Sequence, residues 1–418
     1  MPVQPAVTPE PDPMIEPVFL FSLIIALSIV LIPLSARFRA PILLLFLAVG
    51  MMFGEDGPGG ILFEDFALTY NVGSICLALI LLSGGLGTRL TDVRAAALPA
   101  GLLAGPGVIL TAGLVGLAYS LVFDAPLVEG LLFGAVVGST DAAATFMSLK
   151  DGGVTLARRP RQTLLVESGI NDPMAIFLTV MMVEVVDTGL PLDGDTLARF
   201  APVLAQQLGL GLIIGLGAGW MASRLMAWIK LPAGVGSPFL LAMGLMAYSG
   251  TTMLGGSGFL AVYLFGLGAA NFGATPPIRA IHFHEGLSWI AQICLFVLLG
   301  LLVTPSALPD VALAGLILAA ALMLVVRPAV VLTCLTPLRV PLREQVYVGW
   351  MGMRGSVPIF LAILPVVSPG PITPVFFNLV FVIVVISLLV HGLTAAASAR
   401  WLGVDKDVET DPDGTASD

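Results

Sequence analysis

Apolar stretches long enough to cross a lipid bilayer follow one another along almost the whole chain, from residue 17 to residue 404. A transmembrane helix needs about 20 apolar residues, and fewer where it is buried or broken. The chain is 57% apolar and only 11% charged, a composition that excludes an ordinary water-soluble domain. The sequence therefore predicts an all-α polytopic membrane protein with about thirteen transmembrane helices.

Charges, glycines and prolines divide this region into the predicted spans, which we number in chain order. They lie at 17–35, 41–54, 70–87, 96–122, 130–149, 164–186, 203–226, 237–253, 258–271, 285–303, 311–334, 345–365 and 374–402. The second and ninth are short, so twelve spans are also possible. Together they form one membrane transporter domain, 17–404.

Both ends of the chain are acidic and are predicted to be disordered tails. Segments 1–16 and 405–418 carry nine acids and one base and hold most of the net charge of −9. The region between them has 18 acids and 17 bases, so it is nearly neutral. Such a distribution offers no basic surface for nucleic acid.

The basic residues predict the orientation of the chain. With thirteen spans, every Lys and Arg except Arg199 and Arg354 falls on one side of the membrane. Loops rich in Lys and Arg stay in the cytoplasm. We therefore expect an integral protein of a bacterial-type inner (plasma) membrane, with its N-terminus outside and its C-terminus in the cytoplasm.

A few ionisable residues are predicted to lie at membrane depth, away from loops and span ends. They are Asp141 in the fifth span, Glu167 and Asp172 in the sixth, and Arg354 in the twelfth. A charge at the bilayer centre costs about 2.5–3.5 kcal/mol, so such residues are functional candidates. One Arg balances only one of the three acids, so the other two must be protonated or bind a cation.

The sixth span carries an oxygen-rich patch on an otherwise apolar helix. Glu167 and Asn171 are four residues apart, as are Ser168 and Asp172, so each pair shares one helical stripe. The two stripes are neighbours. This helix is therefore predicted to present carboxylate, hydroxyl and amide oxygens together.

The fifth and twelfth spans are interrupted by glycine and polar residues. The interruptions are GSTD at 138–141 and GMRGSVP at 352–358, and unwound backbone at this depth is tolerated only where it lines a cavity or is buried in protein. Each is the middle span of a triplet, and the two triplets run in opposite directions. Interrupted helices in inverted repeats are typical of the binding site of a secondary transporter.

Monovalent cations prefer oxygen ligands, which these segments supply. Asp172, Ser168, Asp141, Glu167 and the main-chain carbonyl of Thr140 could together form such a site. A buried carboxylate site can hold either the cation or a proton. One site that holds either ion and faces each side in turn makes an antiporter. Its substrates are a monovalent cation (Na⁺ or K⁺) and a proton, and it needs no cofactor.

The same segments resemble a known family, the NhaP-type branch of the cation–proton antiporter superfamily, and most closely its potassium/proton antiporters. The resemblance rests on GSTDAAATFMSL (138–149), ESGINDPMAIFL (167–178), GGSGFLAVYLFGL (255–267), HEGLSWIAQICLFVLLGLLVTPS (284–306) and GMRGSVPIFLAILP (352–365).

The resemblance implies thirteen helices and a homodimer. It implies a mobile core of 96–186 and 311–402 and a dimer scaffold of 17–87 and 203–303.

The resemblance also implies residue roles. Asp172 would be the essential carboxylate, assisted by Glu167, Ser168, Asp141 and the Thr140 carbonyl, with Ser139 in support. The pair Asn171–Asp172 would mark electroneutral exchange of one proton per cation.

The third span departs from the family pattern, which usually has an acid where this chain has Ser83 in LSGGL (82–86). A partner assigned to Arg354 is therefore missing. We expect the charge of Arg354 to be balanced instead by Glu167 and by helix C-terminal carbonyls at the break in the twelfth span.

Two other functions are compatible with parts of the sequence. GGSG at 255–258 matches the G-x-S-G of rhomboid intramembrane proteases, so Ser257 and His391 could form a serine protease dyad. A cation channel or uniporter is the other alternative, although a channel would use rings of carbonyls or charges rather than a carboxylate cluster.

Overall fold

The computed structural model is helical almost throughout and describes residues 15–38, 41–229, 232, 234–273 and 278–405. Within these ranges the extended pairing is a single antiparallel bridge between Leu156 and Asp405. Residues 1–14 and 406–418 lie outside the described residues, and the predictions for the acidic tails fall largely there. The bases Arg39, Lys230 and Lys406 lie outside them too.

Helices occupy the position of every predicted span. In chain order the α-helices are α1 (Ile15–Val30), α2 (Ile32–Phe38), α3 (Ile42–Phe53), α4 (Phe66–Leu86), α5 (Leu90–Leu102), α6 (Val108–Phe123), α7 (Leu127–Val136), α8 (Ala142–Asp151), α9 (Arg158–Thr188), α10 (Gly194–Ile229), α11 (Gly236–Met253), α12 (Gly258–Asn271), α13 (Ile278–Leu301), α14 (Leu308–Ala320), α15 (Arg327–Leu335), α16 (Leu342–Trp350), α17 (Ser356–Leu361), α18 (Ile363–Val367) and α19 (Pro374–Leu402). Eight helical segments of the described chain are long and apolar enough to cross a membrane. The predicted all-α polytopic membrane fold is confirmed.

The fourth and eleventh spans share an unusual feature, a π-helical turn in the middle of a long helix. Leu103–Gly107 joins α5 to α6, and Ala321–Val326 joins α14 to α15. A π-turn holds one residue more than an α-helical turn and is frequent at functional sites. Arg327 follows the second π-turn directly.

The two triplets repeat the same order of elements. In each, a helix with a π-turn is followed by a broken helix and then by a long continuous helix, α9 or α19. The fifth span is broken between α7 and α8, and the twelfth between α16 and α17. Seven positions separate the matching spans, an odd number, so the triplets cross the membrane in opposite directions. The predicted inverted repeats and interrupted helices are confirmed.

The helices pack in two groups. One contains the two triplets, with α7 against α6 and α9, and α14 and α8 against α19. The other contains the remaining spans, with α12 against α4 and α10, and α13 against α3 and α4. Gly50 and Gly300 let α3 and α13 approach closely, because a Cβ on either would collide with the backbone of the other. The groups meet where Tyr70 of α4 stacks on Phe360 of α17.

Candidate functional site

The two helix breaks cross inside the protein and bond to each other. The backbone N–H of Asp141, at the break of the fifth span, donates to the carbonyl oxygen of Met353, at the break of the twelfth, over 2.8 Å. Met353 and Asp141 thereby satisfy backbone groups that the broken helices leave without partners. The two unwound segments are therefore joined directly, within the helix group that contains both triplets.

The two carboxylate oxygens of Asp141 contact both broken spans. Its Oδ1 accepts from the N–H of Ala144 over 2.9 Å and so caps the N-terminus of α8. The other carboxylate oxygen lies against Gly355, where a Cβ would collide with it. Gly355 therefore has a steric role, because a side chain there would push the two breaks apart.

Helix α9 lies directly beside the crossing and is bonded to it by two of the predicted site residues. Asn171 donates from Nδ2 to the Oγ1 of Thr140 over 2.6 Å. The Oγ of Ser168 accepts from the N–H of Ala142 over 3.2 Å. The helix continues unbroken through Pro173. The structure therefore brings Ser168, Asn171 and Thr140 together.

Asp172 is buried beside them with an unused oxygen. It is 6% exposed, and its Oδ1 has no hydrogen-bond partner in the described part of the chain. The same is true of the Oδ1 of Asn171 and the Oγ of Ser139. A buried acceptor without a partner costs about 1–3 kcal/mol. These oxygens are therefore candidate ligands for a cation or, at a carboxylate, for a proton.

The predicted ion pair between Glu167 and Arg354 is wrong. Glu167 forms a two-pronged ion pair with Arg327, not with Arg354, over 2.6 Å (Nη1 to Oε1) and 2.9 Å (Nη2 to Oε2). Both residues are buried, at 1% and 4% exposure. Both oxygens of Glu167 are therefore occupied by a guanidinium. Among the described residues, no three His, Cys, Asp or Glu side chains are placed to hold a metal ion together. Glu167 is thus not assembled with Asp141 and Asp172 into one carboxylate cluster.

Arg327 is a site residue that the sequence analysis missed. It lies near the end of the predicted eleventh span and so counts among the bases on the Lys- and Arg-rich side, which leaves Arg354 as the one base predicted at membrane depth. The flanking sequence LMLVV-R-PAVVL and the predicted span 311–334 both place Arg327 well inside apolar sequence. The apolar sequence on both sides of Arg327 is the signal that identifies it as a second base at membrane depth.

Arg354 neutralises a helix end instead of a carboxylate. Its Nη1 donates to the carbonyl oxygen of Gly138 over 2.8 Å and also to that of Ser139. These carbonyls lie in the unwound segment that follows the C-terminus of α7, where the helix dipole is negative. The expected helix-terminal carbonyls are therefore present, but at the break of the fifth span rather than the twelfth. Ser83 lies half-buried on α4 and makes no hydrogen bond to Arg354 among the described residues.

We expect Arg354→Gln to destabilise the protein by about 1.5–3 kcal/mol, because a charged donor to buried carbonyls is lost. Arg354→Lys should recover part of the loss, since it keeps the charge. Arg400 is the matched control, because its Nη2 also donates to a carbonyl, that of Gly152, but at the surface. Thermal unfolding in detergent measures all three variants. Equal midpoints for Arg354→Gln and Arg400→Gln would contradict this role.

The residues of the proposed protease dyad are engaged elsewhere. Ser257 caps α12 by accepting from the N–H of Leu260 over 3.3 Å. The hydroxyl beside His391 is that of Ser387, 3.0 Å from Nδ1. The structure therefore does not bring Ser257 to His391, and the prediction of a serine protease dyad is wrong.

Two cavities lie between the helix groups, at opposite ends of the spans. The larger has a volume of about 520 Å³ and is lined by Pro41, Asp151 and Arg400 among others, with an adjoining narrow space that reaches Met353. The other, of about 300 Å³, is lined by Glu55 and Asn378 among others. Neither is lined by Asp172.

Comparisons with known proteins agree over most of the chain. The family model described as sodium/hydrogen exchanger, transmembrane, matches residues 23–401. A K(+)/H(+) antiporter NhaP2 of Shewanella sp. (strain MR-4) is 43% identical over 386 residues, covering 92% of this chain and 66% of that protein. A K(+)/H(+) antiporter NhaP of Alkalimonas amylolytica is 39% identical and covers 95% and 69%. The chain thus spans about two thirds of the length of these relatives.

A solved structure shares the fold. The sodium proton antiporter MjNhaP1 from Methanocaldococcus jannaschii superposes with a TM-score of 0.80 at 21% identity, covering 93% of this chain and 99% of that one. A Na(+)/H(+) antiporter ApNhaP of Aphanothece halophytica is a more distant relative in sequence, 28% identical over 416 residues.

Proposed function

We propose, from the premise that the chain belongs to the sodium/hydrogen exchanger family, that it is a secondary transporter exchanging a monovalent cation for a proton. It is a membrane transporter and not an enzyme, and its substrates are the monovalent cation and the proton. The proposal is carried by buried Asp172, whose Oδ1 has no hydrogen-bond partner in the described part of the chain; Asn171 and Ser139 also have oxygens without partners there. A proton or a cation fills this place, and only one at a time.

The residues around Asp172 provide further oxygen ligands and hold the site in position. Ser168 and Thr140 are fixed by hydrogen bonds to the break and to α9, so their oxygens are preorganised. The Thr140 carbonyl remains a proposed ligand. Glu167 acts by holding Arg327 and stiffening the site, since both its oxygens are occupied. Asp141 keeps the crossing together through its bond to Met353 and its cap of α8.

Movement of one helix group against the other would expose the site to each side in turn. We propose 96–186 and 311–402 as the moving core and 17–87 and 203–303 as the scaffold. The two cavities lie between these groups, one near each membrane surface. They are the proposed entrances. The first span and α10 are the least buried of the long apolar helices, so the scaffold has free faces for lipid and for a second copy in a homodimer.

We place the Lys- and Arg-rich loops in the cytoplasm, with the chain in a bacterial-type inner membrane. This follows the positive-inside rule. The N-terminus then lies outside and the cavity near Arg400 opens to the cytoplasm.

Flux measurements in proteoliposomes test the function. A pH-sensitive dye inside the vesicles reports proton movement when Na⁺, K⁺ or Li⁺ is added in turn. We expect cation-dependent proton flux, with K⁺ effective because the relatives that are 39–43% identical are named K(+)/H(+) antiporters. Cation flux that does not depend on the pH gradient would favour a channel or uniporter and contradict the proposal.

Exchange is expected to be electroneutral. Asn171 is neutral and Glu167 is balanced by Arg327, so the site bears the same charge with a proton on Asp172 as with a monovalent cation beside it. An imposed potassium-diffusion potential should leave a Na⁺-driven exchange equilibrium unchanged. A potential-dependent shift of that equilibrium would show that more than one proton moves per cation. If only K⁺ is carried, a K⁺ jump on a solid-supported membrane should give no sustained current.

A further inference from the structure

The break in the twelfth span is attached to α19 by a hydrogen bond that the proposed ion chemistry does not use. The backbone N–H of Arg354 donates to the Oγ of Ser387 over 2.9 Å. Ser387 in turn lies 3.0 Å from the Nδ1 of His391, one helical turn further along α19. All three residues are at most 1% exposed.

The hydrogen bond from Arg354 to Ser387 has a direction fixed by chemistry, and the one between Ser387 and His391 depends on the tautomer of the ring. The N–H of Arg354 can only donate, so the Oγ of Ser387 accepts there. The hydroxyl of Ser387 also lies within hydrogen-bond distance of the Nδ1 of His391. When the Ser387 hydroxyl donates, a neutral His391 accepts at Nδ1 and carries its proton on Nε2; in the other tautomer Nδ1 donates to Ser387 instead.

The ring of His391 is held in this orientation by Trp350, the last residue of α16. The two rings lie 5.3 Å apart and meet edge to face at 81°. The Nε1 of Trp350 donates to the Oγ1 of Thr394, again on α19. Helix α19 is therefore bonded to the chain at two points, at Trp350 just before the break and at Arg354 within it.

The same segment continues into the ion site. Met353 precedes Arg354 and accepts from the N–H of Asp141, and Gly355 follows it and lies against the Asp141 carboxylate. A shift of this segment therefore moves Asp141 and the crossing beside Asp172. The chain of contacts runs from His391 through Ser387 and the Arg354 backbone to Asp141.

We propose that neutral His391 is a positioning residue for transport: through Ser387 it fixes the unwound segment of the twelfth span and thereby sets the cation affinity of the site. This inference rests on the proposed antiport. His391 touches no substrate, and its effect reaches the site through the backbone of the break.

Three substitutions of His391 separate this role from simple packing. The Oδ1 of Asn is as many bonds from Cβ as the Nδ1 of His, so His391→Asn can still accept from Ser387. The oxygen of His391→Gln lies one bond further out and misses that place. His391→Leu fills space without any acceptor. Ser387→Ala removes the other end of the bond, and Ser398→Ala on the same helix is the matched control.

The measurement is the cation concentration that half-saturates proton flux in proteoliposomes, together with the maximal rate and the thermal midpoint in detergent. We expect His391→Leu, His391→Gln and Ser387→Ala to raise the half-saturating concentration about five- to tenfold, because a buried hydroxyl loses its acceptor or the break loses its tether. His391→Asn should stay within about twofold of the unmodified protein, and Ser398→Ala should match it.

Other outcomes would contradict the inference about His391, the role of its Nδ1, or the proposed function. An unchanged half-saturating concentration in His391→Leu would overturn the inference, even if the thermal midpoint falls, since the residue would then only support packing. Equal behaviour of His391→Asn and His391→Gln would overturn the assigned role of Nδ1. If His391→Leu fails to fold, Ser387→Ala decides alone. An unmodified protein without cation-dependent proton flux would overturn the proposed function itself.

Discussion

Asp172→Asn is expected to reduce cation-dependent proton flux to the rate of protein-free vesicles. An amide carries no negative charge to balance a monovalent cation and has no proton to release at this position. Its shape matches that of the carboxylic acid, so the variant should still insert and fold. Asp172→Glu should retain weak exchange because it keeps an ionisable oxygen on a longer side chain.

Asp310→Asn is the matched control for this loss. Asp310 is exposed in the first turn of α14, away from the crossing. We expect it to exchange at the unmodified rate. Dye-reported proton flux at equal protein content measures both variants, and native-like gel filtration confirms that they are folded. Substantial flux through Asp172→Asn would show that the shared carboxylate lies elsewhere.

Breaking the Glu167–Arg327 ion pair should have the largest effect on stability. Removing one partner of a buried pair leaves an uncompensated charge and costs about 3–5 kcal/mol. We therefore expect Glu167→Gln and Arg327→Met each to lower the thermal midpoint strongly. The double variant Glu167→Gln/Arg327→Met should recover much of the loss, since no buried charge remains.

A second ion pair in the same protein provides the comparison. Arg159 and Glu344 lie 3.7 Å apart, with the Arg159 side chain 61% exposed. Exposed pairs contribute about 0–1 kcal/mol, so Arg159→Met should change the midpoint little. Strict additivity of the two single losses in the Glu167/Arg327 double variant would refute direct coupling between these residues.

Local spacing explains which parts of the site were predictable from sequence. Ser168, Asn171 and Asp172 lie within five residues of one helix, so their common location follows from helical geometry. The helix breaks were readable from clustered Gly and polar residues at membrane depth. These features need no knowledge of how distant segments pack.

The partners of the two buried arginines needed the three-dimensional structure. Glu167 and Arg327 are 160 residues apart, and many pairings of the buried charges satisfy the same count of acids and bases. Main-chain carbonyls have no signature in side-chain sequence. The pairing of Arg354 with the end of α7 therefore became visible only once the breaks were seen to cross.

The π-turn at Ala321–Val326 has a consequence for how the ion pair is aligned. Each residue added to a helix rotates everything beyond it by about 100° about the axis. The direction in which Arg327 points therefore depends on the number of residues in the turn before it and not on what they are. Shortening this turn by one residue would swing the guanidinium about 100° away from Glu167 with both side chains intact. The alignment of the ion pair is thus set by the length of this segment rather than by the identity of its side chains.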